Sequence, residues 1–518
     1  MTTNQASPGK SPSGFLALIE RIGNKVPDIT ILFVIAFFVV GILSMFLCHV
    51  DFGYVNPANG KPIVIANVFS AKALVTLMSK MVTNFATFPP LGLVVVATFG
   101  VGIADGSGYL NVALKKLLLV TPKKLLVPAI LVAGMISHLG MGSGYIIIIP
   151  IASYMFYASG RHPLAGIAVS FAGIAGAFAA NYTPSPIDPV IQGFSQAAAQ
   201  IIDPHYLVNV LCNYYYSIVA TFLVIPTCWF VTDKIVEPWL WKMYPLSKDL
   251  EVENDTDTAI TPRENRAFYI ATGVLVLMGI GLMMSILPAN SLWRGADGNI
   301  ASFGSPLMKS IISLIFVFFG AIGVVFGILS GHWKSSKDFT AAMEKMGHMI
   351  VPLIVFYFVA AQFLYIFNTS HMGALIAVAG AELLKSLALP PQLTVFGVII
   401  FVGLLDLLIT SASGKWAILA PILVPMLMGV GISPELTQAA FRSADSAFNV
   451  VTPMFAFYPL IITFCQKYVK ESGIGTLSSM MLPYTIGLTL AFSATIYLMW
   501  FLGIPLGIQG NFVYPRPF

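Results

Sequence analysis

Ser413-Gly414-Lys415-Trp416-Ala417 opens a stretch that runs through Pro421 and Pro434 to Asn449-Val450-Val451-Thr452-Pro453. The same script occurs once before it. Ser143-Gly144 opens a short apolar run carrying Pro150, Pro163 starts a small-residue helix, and that helix stops at Asn181-Tyr182-Thr183-Pro184. Matching residues lie 270 (Ser143, Ser413), 271 (Pro163, Pro434) and 269 (Pro184, Pro453) positions apart. Proline removes a backbone donor and ends or kinks a helix. Apolar segments broken by Gly and Pro at corresponding places of two halves are the sequence mark of a binding site at mid-membrane.

Composition supports that setting. The chain of 518 residues is 57% hydrophobic and 9% charged, against about 25% charged in soluble domains. Apolar segments of about 20 residues match a helix crossing the hydrocarbon layer, and the short alternating pattern of an outer-membrane barrel is absent from the sequence. The expected fold is therefore an all-α polytopic membrane protein. The net charge of +5 is explained by basic cytoplasmic loops and calls for no nucleic acid. Cys48, Cys212, Cys228 and Cys465 lie in or beside apolar segments and read as packing residues, with neither metal-site spacing nor a disulfide framework.

Nine transmembrane helices are expected: 29–48, 91–114, 163–202, 208–231, 267–287, 306–330, 346–367, 434–466 and 477–502. The third and eighth are long and interrupted. Two more apolar stretches, 125–159 and 393–431, are too long for one crossing and carry Gly/Ser-rich breaks at 137–144 and 410–414. They read as re-entrant hairpins, because irregular backbone at membrane depth is tolerated only inside protein or along a wet cavity. Residues 1–28 form an N-terminal tail, 232–266 a polar linker with acids at Asp249, Glu251, Glu253, Asp255 and Asp257, and 503–518 a periplasmic C-terminal tail. The stretches 70–88, 335–346 and 371–387 read as interfacial helices.

Charge sets the orientation. With the N-terminus cytoplasmic, eighteen of the 27 Lys and Arg fall on inside segments and seven outside. Lys415 and Arg442 remain within the membrane. The first hairpin then enters from the cytoplasm and the second from outside. Residues 29–231 and 306–502 become inverted repeats, with 267–287 as the connecting span. The location expected is a bacterial inner membrane.

An ionisable residue at the centre of a membrane helix costs about 2.5 kcal/mol or more, so the few present are candidate functional groups. Arg442 and Asp445 are one helical turn apart, just before the Asn449–Pro453 break. Lys415 and Trp416 lie at the second hairpin tip and Asp406 in its first arm. Asp188 follows the first break, in Thr183-Pro184-Ser185-Pro186-Ile187-Asp188. Ser143, Asn181, Thr183, Ser413, Asn449 and Thr452 put neutral oxygens at the four breaks, where they can meet a hard cation such as Na⁺ or only cap helix ends. His138 can relay a proton or simply bond to backbone. Asp105 reads equally well as a helix-end acid. Trp416 is expected to face a ring-bearing solute, since a polar tip offers an indole few apolar neighbours. A phosphate loop, His-Glu-x-x-His, Cys-x-x-Cys and a nucleophile elbow are all missing from the sequence, which argues against an enzyme and against direct ATP drive.

Ser411-Ala412-Ser413-Gly414-Lys415-Trp416-Ala417, Arg442-Ser443-Ala444-Asp445-Ser446 and the Asn449…Thr452-Pro453 break resemble the p-aminobenzoyl-glutamate transporter (AbgT) family, nearest to its MtrF branch. The resemblance implies nine spans and two hairpins per protomer of a homodimer, and no cofactor. It implies transport of p-aminobenzoyl-glutamate, a folate breakdown product, or export of sulfonamide antimetabolites, driven by an H⁺ or Na⁺ gradient. The functional positions carried over by motif are Asp188, Ser413, Trp416, Arg442, Asp445 and Pro453. Asp406 stands where some relatives carry an amide, which leaves H⁺ and Na⁺ both open. Na⁺-coupled dicarboxylate uptake is the alternative within transporters, and an ion channel the alternative outside them.

Overall fold

The structure is a computed structural model, and it describes residues 27–57, 59–119, 121–140, 143–246 and 259–518. The N-terminal tail before residue 27 and the five linker acids lie outside the described residues. The fold is all-helical. The helices that matter here are α1 (Ile29–Leu47), α2 (Ala71–Ala86), α3 (Pro89–Gly106), α4 (Tyr109–Leu119), α5 (Leu126–Ile136), α6 (Ser143–Ala158), α7 (Pro163–Phe171), α8 (Ile187–Ala199), α9 (Tyr214–Phe230) and α10 (Glu237–Met243). They continue with α11 (Pro262–Ile286), α12 (Pro306–Ser330), α13 (Ser336–Thr369), α14 (Met372–Ser386), α15 (Pro391–Asp406), α16 (Ala412–Met428), α17 (Pro434–Phe448), α18 (Tyr458–Gln466) and α19 (Ile474–Leu502).

Among the described residues, seven helical stretches are long and apolar enough to cross a membrane, or up to eight if a bent pair counts as one span. The stretches 163–202 and 434–466 are built from short helical pieces. In the first, α7 runs into a π-turn at Ala172–Gly176 before the chain breaks and restarts as α8. In the second, α17 and α18 flank the break at 449–457. Both broken spans begin alike. Pro163 and Pro434 sit at the first helical position, where a missing N–H costs nothing. His162 Nδ1 and Ser433 Oγ accept from the N–H of Leu164 (3.3 Å) and Leu436 (3.0 Å).

The 70–88 segment forms a helix of its own, α2, which ends at Thr87; Phe88 is extended (ψ 118°) and Pro89 starts α3. Three expectations need correction. The span drawn at 91–114 divides at Ser107-Gly108, where Gly108 takes φ +91° before α4 starts at Tyr109. The 335–346 segment is not a separate surface helix but the start of α13, a 34-residue helix begun by the Ser335/Asp338 capping box. The linker is shorter than drawn, since α9 continues through a π-turn and α10 to Met243, and α11 begins at Pro262.

Two bodies emerge from the packing. In one, α1, α3, α11, α12 and α13 pack together. Its helices approach at small residues: a Cβ on Gly100 would come within 2.3 Å of Phe316 Cα, and one on Gly323 within 2.6 Å of the Ile103 backbone. Helices in lipid lack a hydrophobic drive to associate, so close backbone contact of this kind holds them. The other body is made of the hairpins α5–α6 and α15–α16, the broken spans, and α19. Each hairpin here packs on its own half's broken span and also reaches the broken span of the other half. Tyr145 of α6 stacks on Phe457 at the second break, with ring centroids 4.2 Å apart. Trp416 of α16 bonds to α8. The two halves are therefore interlocked.

Candidate functional site

The second body holds almost every buried charge, at the ends of its broken helices. Ser411 accepts from Gly414 N–H (3.3 Å) and so starts α16, which fixes Lys415 in the first turn, nine residues after Asp406 at the end of α15. Lys415 Nζ, 1% exposed, donates to Asp406 Oδ1 and lies 2.9 Å from Asp445 Oδ1 on α17. Asn449, one turn further, donates its amide to Asp445 Oδ2 (3.3 Å). Asp406 Oδ2, Asn449 Oδ1 and Ser446 Oγ are buried without a hydrogen-bond partner among the described residues. One ammonium thus faces two carboxylates.

A second pair lies alongside. Arg442 Nη1 meets Asp188 Oδ1 at 2.7 Å. Asp188 sits in the first turn of α8, and its other oxygen accepts from the Ser185 N–H (2.7 Å) and Oγ (3.3 Å). Arg442 and Asp445, one turn apart in sequence, therefore do not neutralise each other. Each takes its partner from another element, Arg442 across the halves and Asp445 from the hairpin. Taken together, Asp188, Asp406 and Asp445 outnumber Lys415 and Arg442 by one negative charge.

The remaining candidates divide. At the first break Thr183 donates N–H and Oγ1 to Asn181 Oδ1 (both 3.3 Å), and Asn181 Nδ2 lies 3.4 Å from His138 Nδ1. His138 Nε2 lies 2.8 Å from Ile174 O, so both ring nitrogens have partners and the backbone-bonded reading applies. Thr452 donates to Leu407 O (2.9 Å), tying the second break to its own hairpin. Pro453 follows it in the break. The six oxygen-bearing break residues thus do not converge on one cation: Asn449 joins Asp406 in the lysine cluster, Asn181 and Thr183 lie with the histidine, and Ser413 lines a cavity. Ser143 heads α6, and Asp105 lies in the last turns of α3.

A cavity of about 210 Å³ opens where the two bodies meet. Val94, Leu353 and Tyr357 line it from α3 and α13, and Ser413, His138, Phe178, Ser185 and Val190 from the hairpins and first broken span. Its wall is mainly apolar and aromatic, with Ser413, Ser185 and His138 as polar points. Trp416 departs from expectation. Its ring is fully buried, 4.4 Å from the Phe441 ring, and its N–H donates to Ser195 Oγ (2.9 Å) and Ile191 O (3.2 Å). The premise that it lacks apolar neighbours fails, because α17 brings Phe441 against the tip. Sequence reading also missed what holds it. Ser195 donates to Gln438 (2.6 Å), which donates to Asn213 (2.9 Å). Spacing signals Gln438, which lies four residues before Arg442 on the same helical face.

A cavity between two helical bodies, flanked by paired charges at broken helix ends, is how a membrane transporter is built. A family model described as the AbgT putative transporter family matches residues 14–514. The p-aminobenzoyl-glutamate transport protein of Escherichia coli (strain K12) is 31% identical over 511 residues, 98% of each chain. Among solved structures, the Alcanivorax borkumensis YdaH transporter, described as having an unusual topology, is 36% identical with TM-score 0.87, over 93% of this chain and 100% of that one. Neisseria gonorrhoeae MtrF, presented as illuminating a class of antimetabolite efflux pumps, is 35% identical with TM-score 0.88, over 97% and 100%. The chain belongs to the AbgT transporter family. These are multi-pass membrane transporters and not enzymes.

Proposed function

We propose that the chain moves p-aminobenzoyl-glutamate-like folate catabolites, or exports sulfonamide antimetabolites, across the inner membrane, driven by an ion gradient. The observation that carries this reading is Arg442, a buried guanidinium held by one exchangeable partner, Asp188, at 2.7 Å. A planar guanidinium grips a carboxylate by two parallel hydrogen bonds, and a sulfonyl group through the same donors. A solute carboxylate can replace Asp188 while its benzoyl ring enters the cavity beside Phe178 and Tyr357. p-Aminobenzoyl-glutamate, the solute in the Escherichia coli relative's name, has this chemistry.

The coupled ion in this proposal is a proton. Lys415 already places an ammonium between Asp406 and Asp445, where a bound Na⁺ would have to compete with it. One proton balances the surplus carboxylate without moving the lysine. The interlocked hairpins and broken spans travel as one body against α3 and α13, in a homodimer whose N-termini face the cytoplasm. The test is flux in proteoliposomes. Arg442→Ala should abolish uptake of labelled p-aminobenzoyl-glutamate at equal reconstitution, and wild-type flux should follow an imposed pH gradient and ignore Na⁺. Undiminished flux in the variant refutes the anchor. Na⁺-dependent flux at constant pH refutes the proton.

A further inference from the structure

The buried charges of the transport site leave one deeply buried carboxyl group unused, and it lies at the other end of α17. Glu435 is 1% exposed in the first turn of that helix. It forms no ion pair among the described residues. Tyr206 OH donates to it, 3.0 and 3.1 Å from its two oxygens. The group lines a cavity of about 610 Å³ formed with Asp203, His205, Tyr206, Tyr514 and Arg516. Those residues come from the loop between α8 and α9 and from the C-terminal segment, on the face that the Lys/Arg distribution assigns to the outside. The cavity is wide enough for several waters.

Glu435 continues inward along its own helix. Glu435, Gln438, Arg442, Asp445 and Asn449 follow the spacing i, i+3, i+7, i+10, i+14, which places them on one face. All five are buried. At 1.5 Å per residue, the stripe carries polar atoms over about 15 Å from Glu435 to Asp445. Polar side chains in a buried membrane helix mark a pathway more often than packing, because each is expensive to place there. Arg442 is the one positive charge on the stripe, and Asp188 compensates it, so a proton moving along this face meets no unpaired cation.

We propose that Glu435 is the outer proton-exchange site of this transporter, taking a proton from the water of the outer cavity and releasing it to water that moves along the polar α17 stripe to the Asp406–Lys415–Asp445 cluster, since neither the Gln438 amide nor the Arg442 guanidinium takes up a further proton. The proposal rests on the proton-coupled reading above. The groups that can bias Glu435 from the surrounding elements are Tyr206, Cys212, Asp203, His205, Tyr514 and Arg516. Of these only Tyr206 is hydrogen-bonded to it. The stored proton is returned when the carboxyl reionises, so the step needs no other reactant.

Glu435→Gln tests it in proteoliposomes. Accumulation driven by an acidic outer compartment should fall about tenfold or more, while solute exchange at equal pH on both sides stays within about twofold of wild type, because Glu435 touches neither Arg442 nor the solute cavity. Glu435→Asp should restore the gradient-driven component. Gradient-driven accumulation unchanged in Glu435→Gln overturns the proposal, and so does equal loss of exchange and of gradient-driven flux. If that variant does not reconstitute, Tyr206→Phe decides: the outer-pH midpoint of flux should move by about half a unit or more, and an unmoved midpoint overturns the assignment. A wild-type protein indifferent to the pH gradient removes the coupling reading itself, and this one with it, whereas a pH-driven wild type with an unaffected Glu435→Gln removes only this one.

Discussion

Lys415→Met is the most informative single change in this protein. The side chain keeps its length and loses its charge, so packing changes little and the effect is electrostatic. In the native cluster Lys415 faces Asp445 at 2.9 Å and bonds Asp406 as well. At an effective dielectric of about 20, unit charges at that separation attract by roughly 6 kcal/mol, and desolvation of both ions offsets much of it. What the variant leaves behind matters more. Two carboxylates would remain buried with no cation between them, and removing one partner of a buried pair typically costs about 3–5 kcal/mol. In a chain of this size that corresponds to a fall in apparent melting temperature of roughly 3–5 °C, read by intrinsic fluorescence in detergent. The second arm is Asp406→Asn on the Lys415→Met background. It removes one of the stranded charges, leaves one carboxylate and a possible amide donor, and should recover about half of the loss or more. A third arm compares NaCl with choline chloride. With its built-in ammonium gone, the cluster should gain stability from Na⁺ that the wild type does not gain. A melting temperature within about 2 °C of wild type in the single variant would show that Lys415 contributes no net electrostatic support. Failure of the double variant to recover would show that the loss comes from packing instead.

Two other outcomes follow from the same geometry. Asp188→Asn removes the anion that competes for Arg442 while keeping the Ser185 contacts near α8. Solute binding by Arg442 should then tighten by about tenfold, since charge-assisted bonds are worth about 1.5–3 kcal/mol, while turnover slows because release is harder; equal or weaker binding by isothermal titration refutes the exchange. Asp338 starts α13 by accepting from the N–H groups of Lys334 (2.7 Å) and Ser335 (2.8 Å), which hold its carboxyl below the usual aspartate value. A depressed folded value means that its contribution is present above the unfolded value and is lost as pH falls through the folded one. Hydrogen exchange at residues 336–340 should therefore accelerate only in acid below the ordinary aspartate range, and a profile flat down to that range and beyond refutes the cap.

The sequence by itself determined the membrane setting, the helix breaks in the two halves and most of the residues at their ends. These features are local. An apolar run of about 20 residues, a proline at a helix start and a Gly/Ser break announce themselves within a few turns, whatever packs against them. The same locality explains the errors. Nothing in residues 335–346 shows whether an amphipathic stretch ends there or runs on into the next helix, as it does in α13, whereas α2 does end before Pro89. Partners were beyond its reach for a stronger reason. Arg442 and Asp445 are neighbours on one helix, yet Arg442 finds Asp188, 254 positions away in the chain, and Asp445 finds Lys415. Trp416 is sealed against Phe441 and Ser195, not left open at a polar tip. Charges and hydrogen-bond donors buried in a low-dielectric interior go to the partner that satisfies them most completely, and the packing of the hairpins and broken spans on one another, which only the tertiary structure reveals, decides which partner that is.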